Sequence, residues 1–171
     1  MNARRLAAPL CIGLLLALPA LAQQDLDFMP KGGKTLLLQV LGAPADAAEL
    51  RRVVTATHSE EEWLAALAAR TGSLSDRERR TLAAYLAVNM PLAPEAVEQA
   101  ARQGAWSSAL PADGRELAWN YCQFCHSLFT GYLTQERGLQ GWRGVFETPF
   151  HREIEMTPNQ RETFARYSAI N

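Results

Sequence analysis

The chain has 171 residues, of which 17 are basic, 18 are acidic and 48% are hydrophobic, and its formal net charge is −1. This length fits one domain or two small ones. The near-neutral charge gives no indication of nucleic-acid binding, and with only two lysines a lysine-ringed docking surface is not expected.

The N-terminus has the pattern of a secretory signal peptide over residues 1–22. A basic start is followed by an apolar run at 10–18 and by an A-x-A cleavage site at 20–22. The run is shorter than the roughly 20 apolar residues that span a bilayer, and a retained membrane anchor is the alternative. Cys11 would leave with the signal, as would two arginines, so the mature chain would carry 15 basic and 18 acidic residues. We expect a periplasmic or secreted protein without a membrane span after cleavage.

The elements that follow are predicted to be helical, because Ala, Leu, Glu and Arg dominate and apolar residues recur at helical spacing. Ser75 with Glu78, and Thr157 with Gln160, form capping boxes that open two of the helices. Strand signals are nearly absent, so the predicted fold class is all-α. The predicted helices cover 34–41, 47–57, 60–70, 76–88, 95–102, 114–121 and 158–171.

Cys122, Cys125 and His126 form a C-x-x-C-H motif, which is typical of covalent attachment of a c-type haem. Two intervening residues make one helical turn, so both sulfurs can bond the vinyl groups of one porphyrin. The next residue then places an imidazole beneath the iron as proximal ligand. The motif therefore predicts one covalent haem c.

Two cysteines at this spacing have three other possible uses. A disulfide between them would close a very small loop and stabilise little. A thioredoxin-type redox pair needs a preceding strand, whereas 114–121 has a helical pattern. A zinc site could use Cys122, Cys125, His126 and His151, but adjacent ligands at Cys125 and His126 do not suit normal tetrahedral spacing.

The two halves of the chain share a weak internal repeat at offsets of 79 to 82 residues. The final segment 163–171 matches 81–89, and Trp142 matches Trp63. Similar offsets in the same order favour a duplication, and coincidence between Ala- and Leu-rich helices is the alternative. In the first half, the positions of the motif are held by residues that cannot attach a haem: Leu41, Pro44 and Ala45.

The second half resembles the cytochrome c superfamily. The resemblance lies in the helix that runs into the C-x-x-C-H, a middle segment with Gln135, Arg137 and Trp142, and a capped C-terminal helix. It implies tandem cytochrome c-like helical domains, of which only the C-terminal one binds haem. The arrangement is similar to diheme cytochromes and to the cytochrome subunits of periplasmic dehydrogenases, with one haem site lost. The implied segments are a haem-less domain at 33–92, a linker at 93–112 and a haem domain at 113–171.

The resemblance also implies a second axial ligand to the iron. The family often places an axial Met about six residues before the N-cap of the last helix, and here that position holds His151. Met156 directly precedes the N-cap Thr157, where apolar residues commonly pack. We favour His151 as distal ligand, with Met156 as the alternative and a vacant position as the third. His58 and Met90 are the candidates from the first half.

Two further expectations concern the surroundings of the haem. The Gly-Pro pair that the family places after the proximal His is absent from 128–140, so the sequence leaves open what supports the ring of His126. Arg137 and Arg143 could pair with the haem propionates, since guanidinium groups suit carboxylates.

The leading functional hypothesis is a periplasmic carrier of single electrons, which could serve as the cytochrome subunit of a dehydrogenase and which is favoured over an enzyme. Its redox partners would be a dehydrogenase donor and a cytochrome or oxidase acceptor. The alternative is a haem-based ligand sensor or binder, or a small peroxidase, with a displaceable distal ligand. No acid–base residue accompanies the motif, which disfavours the enzyme. A structural subunit with an incidental haem is a third interpretation.

Overall fold

The computed structural model describes residues 26–43 and 46–171, and within these ranges the chain is all-α, without a strand. The predicted signal peptide, and Pro44 and Ala45, lie outside the described residues. The helices are α1 (Gly33–Leu41), α2 (Ala47–Thr55), α3 (Glu60–Ala66), α4 (Asp76–Asn89), α5 (Pro94–Gln103), α6 (Trp106–Ala109), α7 (Gly114–Cys122), α8 (Leu139–Val145), α9 (Pro149–Arg152) and α10 (Pro158–Ile170), with a π-helical turn at Phe129–Leu133 between α7 and α8.

Every helix expected from the periodicity is present, with shifts of at most a few residues at the ends. Ser75 and Thr157 each accept a hydrogen bond from the backbone N–H three residues later, so both predicted capping boxes are confirmed. Two more capping boxes begin α3 and α7, at Ser59 and Asp113. The stretch expected to link the halves contains α5 and α6.

The buried side chains form two hydrophobic clusters, one in each half of the chain. The first cluster joins α1 to α5, with Trp63 at its centre among leucines and valines. The second cluster joins α7, the π-helical turn, α8 and α10, with Trp142 in the matching place. Met29, from the segment before α1, packs into the second cluster and so ties the start of the described chain to its end.

Each cluster contains a helix pair that crosses at a glycine. Gly33 at the start of α1 lies against Tyr85 of α4, and Gly114 at the start of α7 lies against Tyr167 of α10. A Cβ on either glycine would overlap the tyrosine side chain, so only glycine permits these approaches. The central helices α4 and α10 also pack against each other. We call α1, α4, α7 and α10 the helix frame.

Across the helix frame, the halves exchange equivalent hydrogen bonds. Two hydrogen bonds from the first half to the second have counterparts 81 or 82 residues away that run in the opposite direction. They are Tyr85 Oη to Pro111 O (2.8 Å) with Tyr167 Oη to Pro30 O (2.6 Å), and Asn89 Nδ2 to Thr163 Oγ1 with Asn171 Nδ2 to Thr81 Oγ1 (both 2.9 Å).

Asp113 has no equivalent at the matching position of the first half. Asp113 is fully buried, caps α7 and also accepts a hydrogen bond from the backbone N–H of Thr35. Gly32 holds the matching position before α1, and a Cβ there would overlap the Asp113 carboxylate. Burial raises the pKa of Asp113. The two halves therefore share one buried carboxylate where strict equivalence would place two.

Within the described ranges, no helix combines the length and the apolar character needed to cross a membrane.

Candidate cofactor site

The second cluster opens into a cleft that contains the C-x-x-C-H motif. The cleft holds about 620 Å³ of atom-free space, part of it open to solvent. Its walls are mostly aromatic and aliphatic, which suits a flat apolar ligand. The residues that line it are Tyr121, Cys122, Cys125, His126, Gly131, Tyr132, Gln135, Arg137, Trp142, Val145, Phe146, His151, Ile154, Met156 and Phe164.

The cysteines reach the cleft from the end of α7. Cys122 is the last residue of this helix and is half-buried, and the chain then turns through an exposed Cys125 to His126. Both thiols are free. Burial raises the pKa of Cys122 to about 12, so this thiol is protonated at neutral pH.

These features bear on the other uses of the cysteines. A thioredoxin-type cysteine needs a lowered pKa to attack as thiolate, whereas that of Cys122 is raised. In the part of the chain that the structure describes, no group of three or more His, Cys, Asp or Glu side chains is arranged to hold a metal ion. The geometry therefore gives no support to a redox pair or to a zinc site.

His126 lies at the mouth of the cleft, against the π-helical turn. Its Nδ1 edge faces Gly131, where a Cβ would overlap the ring. Its Nδ1 is 3.4 Å from the carbonyl oxygen of Ser127, a long and weak contact. The ring is thus held by close approach to the turn more than by a hydrogen bond.

His151 lies on the short helix α9, and its ring centroid is 6.2 Å from that of His126. The Thr148 hydroxyl donates to the carbonyl of Val145 at 2.7 Å, so its single proton is used there. The same oxygen is 2.9 Å from Nδ1 of His151 and can only accept from it. Nδ1 therefore carries the proton, and the lone pair of Nε2 is free to bind a metal.

Met156 also lines the cleft, but it is buried in the second cluster. The two candidates from the first half are elsewhere. His58 lies edge-on against Trp63 at 4.7 Å, and Met90 is buried in the first cluster. Among the four residues considered as distal ligand, the structure brings His151 and Met156 to the motif.

Two polar groups at the cleft fit the carboxylates of a haem. Trp142 is buried, and its Nε1–H has no hydrogen-bond partner. The Arg137 guanidinium lies 5.8 Å above its ring and also lines the cleft. Arg143, the other expected partner, instead makes two hydrogen bonds to Glu162 at 2.8 and 2.6 Å. The residues present thus fit the group that the motif predicts.

Sequence reasoning missed three residues of the site. Tyr132 is buried, and its hydroxyl lies 2.9 Å from Ser168 Oγ. Thr148 has a sequence signal, since a Thr before Pro is a common helix start. Gly131 and Tyr132 have no sequence signal, because they lie in a π-helical turn, which apolar periodicity does not predict.

No protein-family model, curated protein or solved structure matches this chain.

Proposed function

We propose that this protein is a c-type cytochrome with one covalent haem and that it carries single electrons. The observation that carries the proposal is the shared cleft: Cys122, Cys125 and His126 line the same apolar space as His151. An attachment motif that lay on an exposed loop away from any cavity would lack this support.

The spacing of the two imidazoles also supports the proposal. A metal–imidazole bond is about 2.0–2.1 Å long, as zinc sites show, so two rings on opposite sides of one ion have centroids roughly 6 Å apart. The observed 6.2 Å agrees with this distance. The tautomer set by Thr148 leaves Nε2 of His151 free, as a metal ligand requires.

In this proposal Cys122 and Cys125 hold the haem through thioethers, and His126 is the proximal ligand. His151 is the distal ligand, with Met156 as the alternative. A haem bound here supplies one-electron redox chemistry, at a potential that depends on its axial ligands. Trp142 and Arg137 would orient its carboxylates, and the aromatic walls would exclude water.

The second half would then be a cytochrome c-like domain of the cytochrome c superfamily, and the first half a related domain without haem. The reciprocal hydrogen bonds and the paired glycine–tyrosine crossings support a duplication. The first half would serve as scaffold or as interface for a partner.

The proposed setting is the periplasm, where a dehydrogenase would donate electrons and a cytochrome or oxidase would accept them. This part of the proposal depends on the signal-peptide pattern and on the resemblance to dehydrogenase cytochrome subunits.

One observation favours the alternative, a ligand sensor or small peroxidase. His151 lies on a helix of only four residues, Pro149–Arg152, whose residue Phe150 is 89% exposed. A ligand on so short an element could be displaced by an external molecule.

The deciding experiment is to express the full chain together with haem-maturation machinery. Covalent haem is detected by protein mass and by an absorption spectrum that survives denaturation. Ferric and ferrous spectra with and without carbon monoxide then separate the two functions. An inert low-spin iron supports electron transfer, rapid carbon monoxide binding supports the sensor or peroxidase, and a colourless chain at apoprotein mass refutes both.

A further inference from the structure

We infer that Gly131 is a positioning residue for His126: the missing side chain in the π-helical turn forms a seat that holds the imidazole in place for the iron. The inference rests on the proposed function, because it gives the ring of the proximal ligand its support. It also answers a question that the sequence leaves open, since the Gly-Pro pair expected after the motif is absent.

The contact at Gly131 is unusually close. A Cβ built there would overlap the Nδ1 and Cε1 atoms of His126, and the third atom it meets is Cγ of the same ring. Nδ1 is the nearest of the three, so this edge of the imidazole faces the turn. Nε2 is not among these atoms, which leaves it on the side available to a metal.

Gly131 lies within the π-helical turn, which brings its backbone next to the His126 ring. A π-helix is a rare widening of the helical backbone and often occurs at functional sites. Here the turn starts two residues after Ser127, whose carbonyl accepts from the Gly131 N–H at 2.8 Å. This hydrogen bond joins the residue after the C-x-x-C-H motif to the π-helical turn. The φ angle of Gly131 is not positive, so its absent side chain, and not strain, is what matters.

A methyl group at this position would move the ring and leave the fold intact. Non-bonded heavy atoms rest about 3.5–4.0 Å apart, so the imidazole would have to retreat by roughly 1 Å or more. His126 is exposed, and its ring can swing outward at little cost to the core. Metal–ligand distances tolerate only about ±0.2 Å. Gly131→Ala should therefore disturb the ligation of iron by His126 more than it lowers the free energy of unfolding.

The chain offers a matched control in Gly144. This glycine lies in α8, near the same cleft, and a Cβ there meets nothing within 4 Å. Gly131→Ala and Gly144→Ala thus add the same methyl group, one into the seat and one into open space.

The first measurement is the spectrum of the haem-loaded full chain. We expect the wild type and Gly144→Ala to be low-spin, and Gly131→Ala to become predominantly high-spin with its haem still attached. Added imidazole should restore the low-spin spectrum of Gly131→Ala. Identical spectra for all three proteins would overturn the inference. So would a loss of helix content in Gly131→Ala alone, since the glycine would then serve the turn and not the ring.

The second measurement uses the haem-free full chain and therefore separates this inference from the proposed function. Proton NMR should show a cross-peak between the His126 ring Hε1 and the Gly131 Hα protons in the wild type and in Gly144→Ala. Gly131→Ala should shift the His126 ring resonances, whereas Gly144→Ala should not. If the wild type takes up no haem, the proposed function fails, and the NMR comparison of the three haem-free proteins still tests whether Gly131 positions the His126 ring. An absent cross-peak would overturn the seat whether or not haem binds.

Discussion

The two halves of the molecule share a helix frame and differ in what lies beside it. In the first half, Leu41 is fully buried and the space next to Trp63 amounts to about 170 Å³. In the second half, the matching Cys122 lines a cleft of about 620 Å³ next to Trp142. The indole Nε1 of both tryptophans lacks a partner. Trp142 lines the larger space and has the Arg137 guanidinium over its ring, whereas Trp63 lines the smaller space together with Arg79.

The helix frame is the same in the two halves despite this difference. The same helix crossings and the same tyrosine and asparagine hydrogen bonds form in a half that has filled its interior with leucines. The cleft is therefore a local feature. Cys122 at the end of α7 takes the place of the larger Leu41, and the π-helical turn forms part of the wall through Gly131 and Tyr132.

Replacing both Cys122 and Cys125 by Ser should abolish haem attachment. Both thioethers would be lost, and the second half should then resemble the first in having no covalent cofactor. Absorbance and protein mass after expression with haem-maturation machinery measure the effect. Cys11→Ser is the matched control and should leave the mature protein unchanged. Covalent haem on the double variant would refute the assignment.

His151→Ala and Met156→Ala separate the two distal candidates. His151→Ala should give a high-spin iron that binds carbon monoxide rapidly, because the sixth ligand is removed. Met156→Ala should keep the spectrum and lose about 2–5 kcal/mol of unfolding free energy, the usual cost of truncating a buried methionine. An absorption band from thioether to ferric iron in the near infrared of the wild type would instead select Met156.

Gly33→Ala and Gly114→Ala test whether the halves share one frame. Each added methyl overlaps a tyrosine side chain, Tyr85 or Tyr167, so each should cost about 1–3 kcal/mol of overpacking. Denaturant unfolding of the full chain measures both. Gly72→Ala adds a methyl that meets nothing within 4 Å and should be nearly neutral. Strong destabilisation by only one of the pair would show that the two crossings are not equivalent.

Acid should weaken the second half through Glu162. Hydrogen bonds from Arg143, and then from Arg166, hold the pKa of this carboxyl below its ordinary 4.5. A depressed pKa stabilises the fold fully above the ordinary value, and the contribution is lost as pH falls through the folded-state pKa. Glu162 and its two arginine partners are partly exposed, so we expect this contribution to the unfolding free energy to be at most about 1 kcal/mol.

The matching first-half position of Arg143 is Leu64, which packs against the first cluster and has no charge to titrate. Because Glu162→Gln removes the carboxyl whose pKa is lowered, its unfolding free energy should fall less steeply than that of the wild type between pH 6 and pH 3. Equal slopes would show that this carboxylate carries none of the acid sensitivity.

Much of the fold could be predicted from the sequence, because its signals are local. The capping boxes at Ser75 and Thr157 depend on residues three positions apart, and they begin α4 and α10 where expected. Apolar periodicity located α1 and α7 to within one residue at either end. The predicted helices do not include α6, α8 or α9, and α6 and α9 have four residues each, too few to show a period.

The candidate site could be predicted only in part. The C-x-x-C-H motif and its neighbours are contiguous, and the structure brings His151 and Met156 to the same cleft. Arg143, which could pair with a haem propionate according to its sequence position, forms two hydrogen bonds to Glu162 of α10. A long flexible side chain can reach several partners, and the choice between them depends on where another helix lies.

From residue types and short spacings alone, the starts of α4 and α10 could be predicted, and a haem attached at Cys122 and Cys125 of the second half could be proposed. These properties depend on residue type and short spacing, which the chain states directly. Three contacts are apparent only in the folded chain: His126 lies against Gly131, the Thr148 hydroxyl lies beside Nδ1 of His151, and the Asp113 carboxylate fills the space left by Gly32. The first two contacts depend on the local path of the backbone through the π-helical turn and α9, which residue type does not specify, and the third depends on how the two halves pack together.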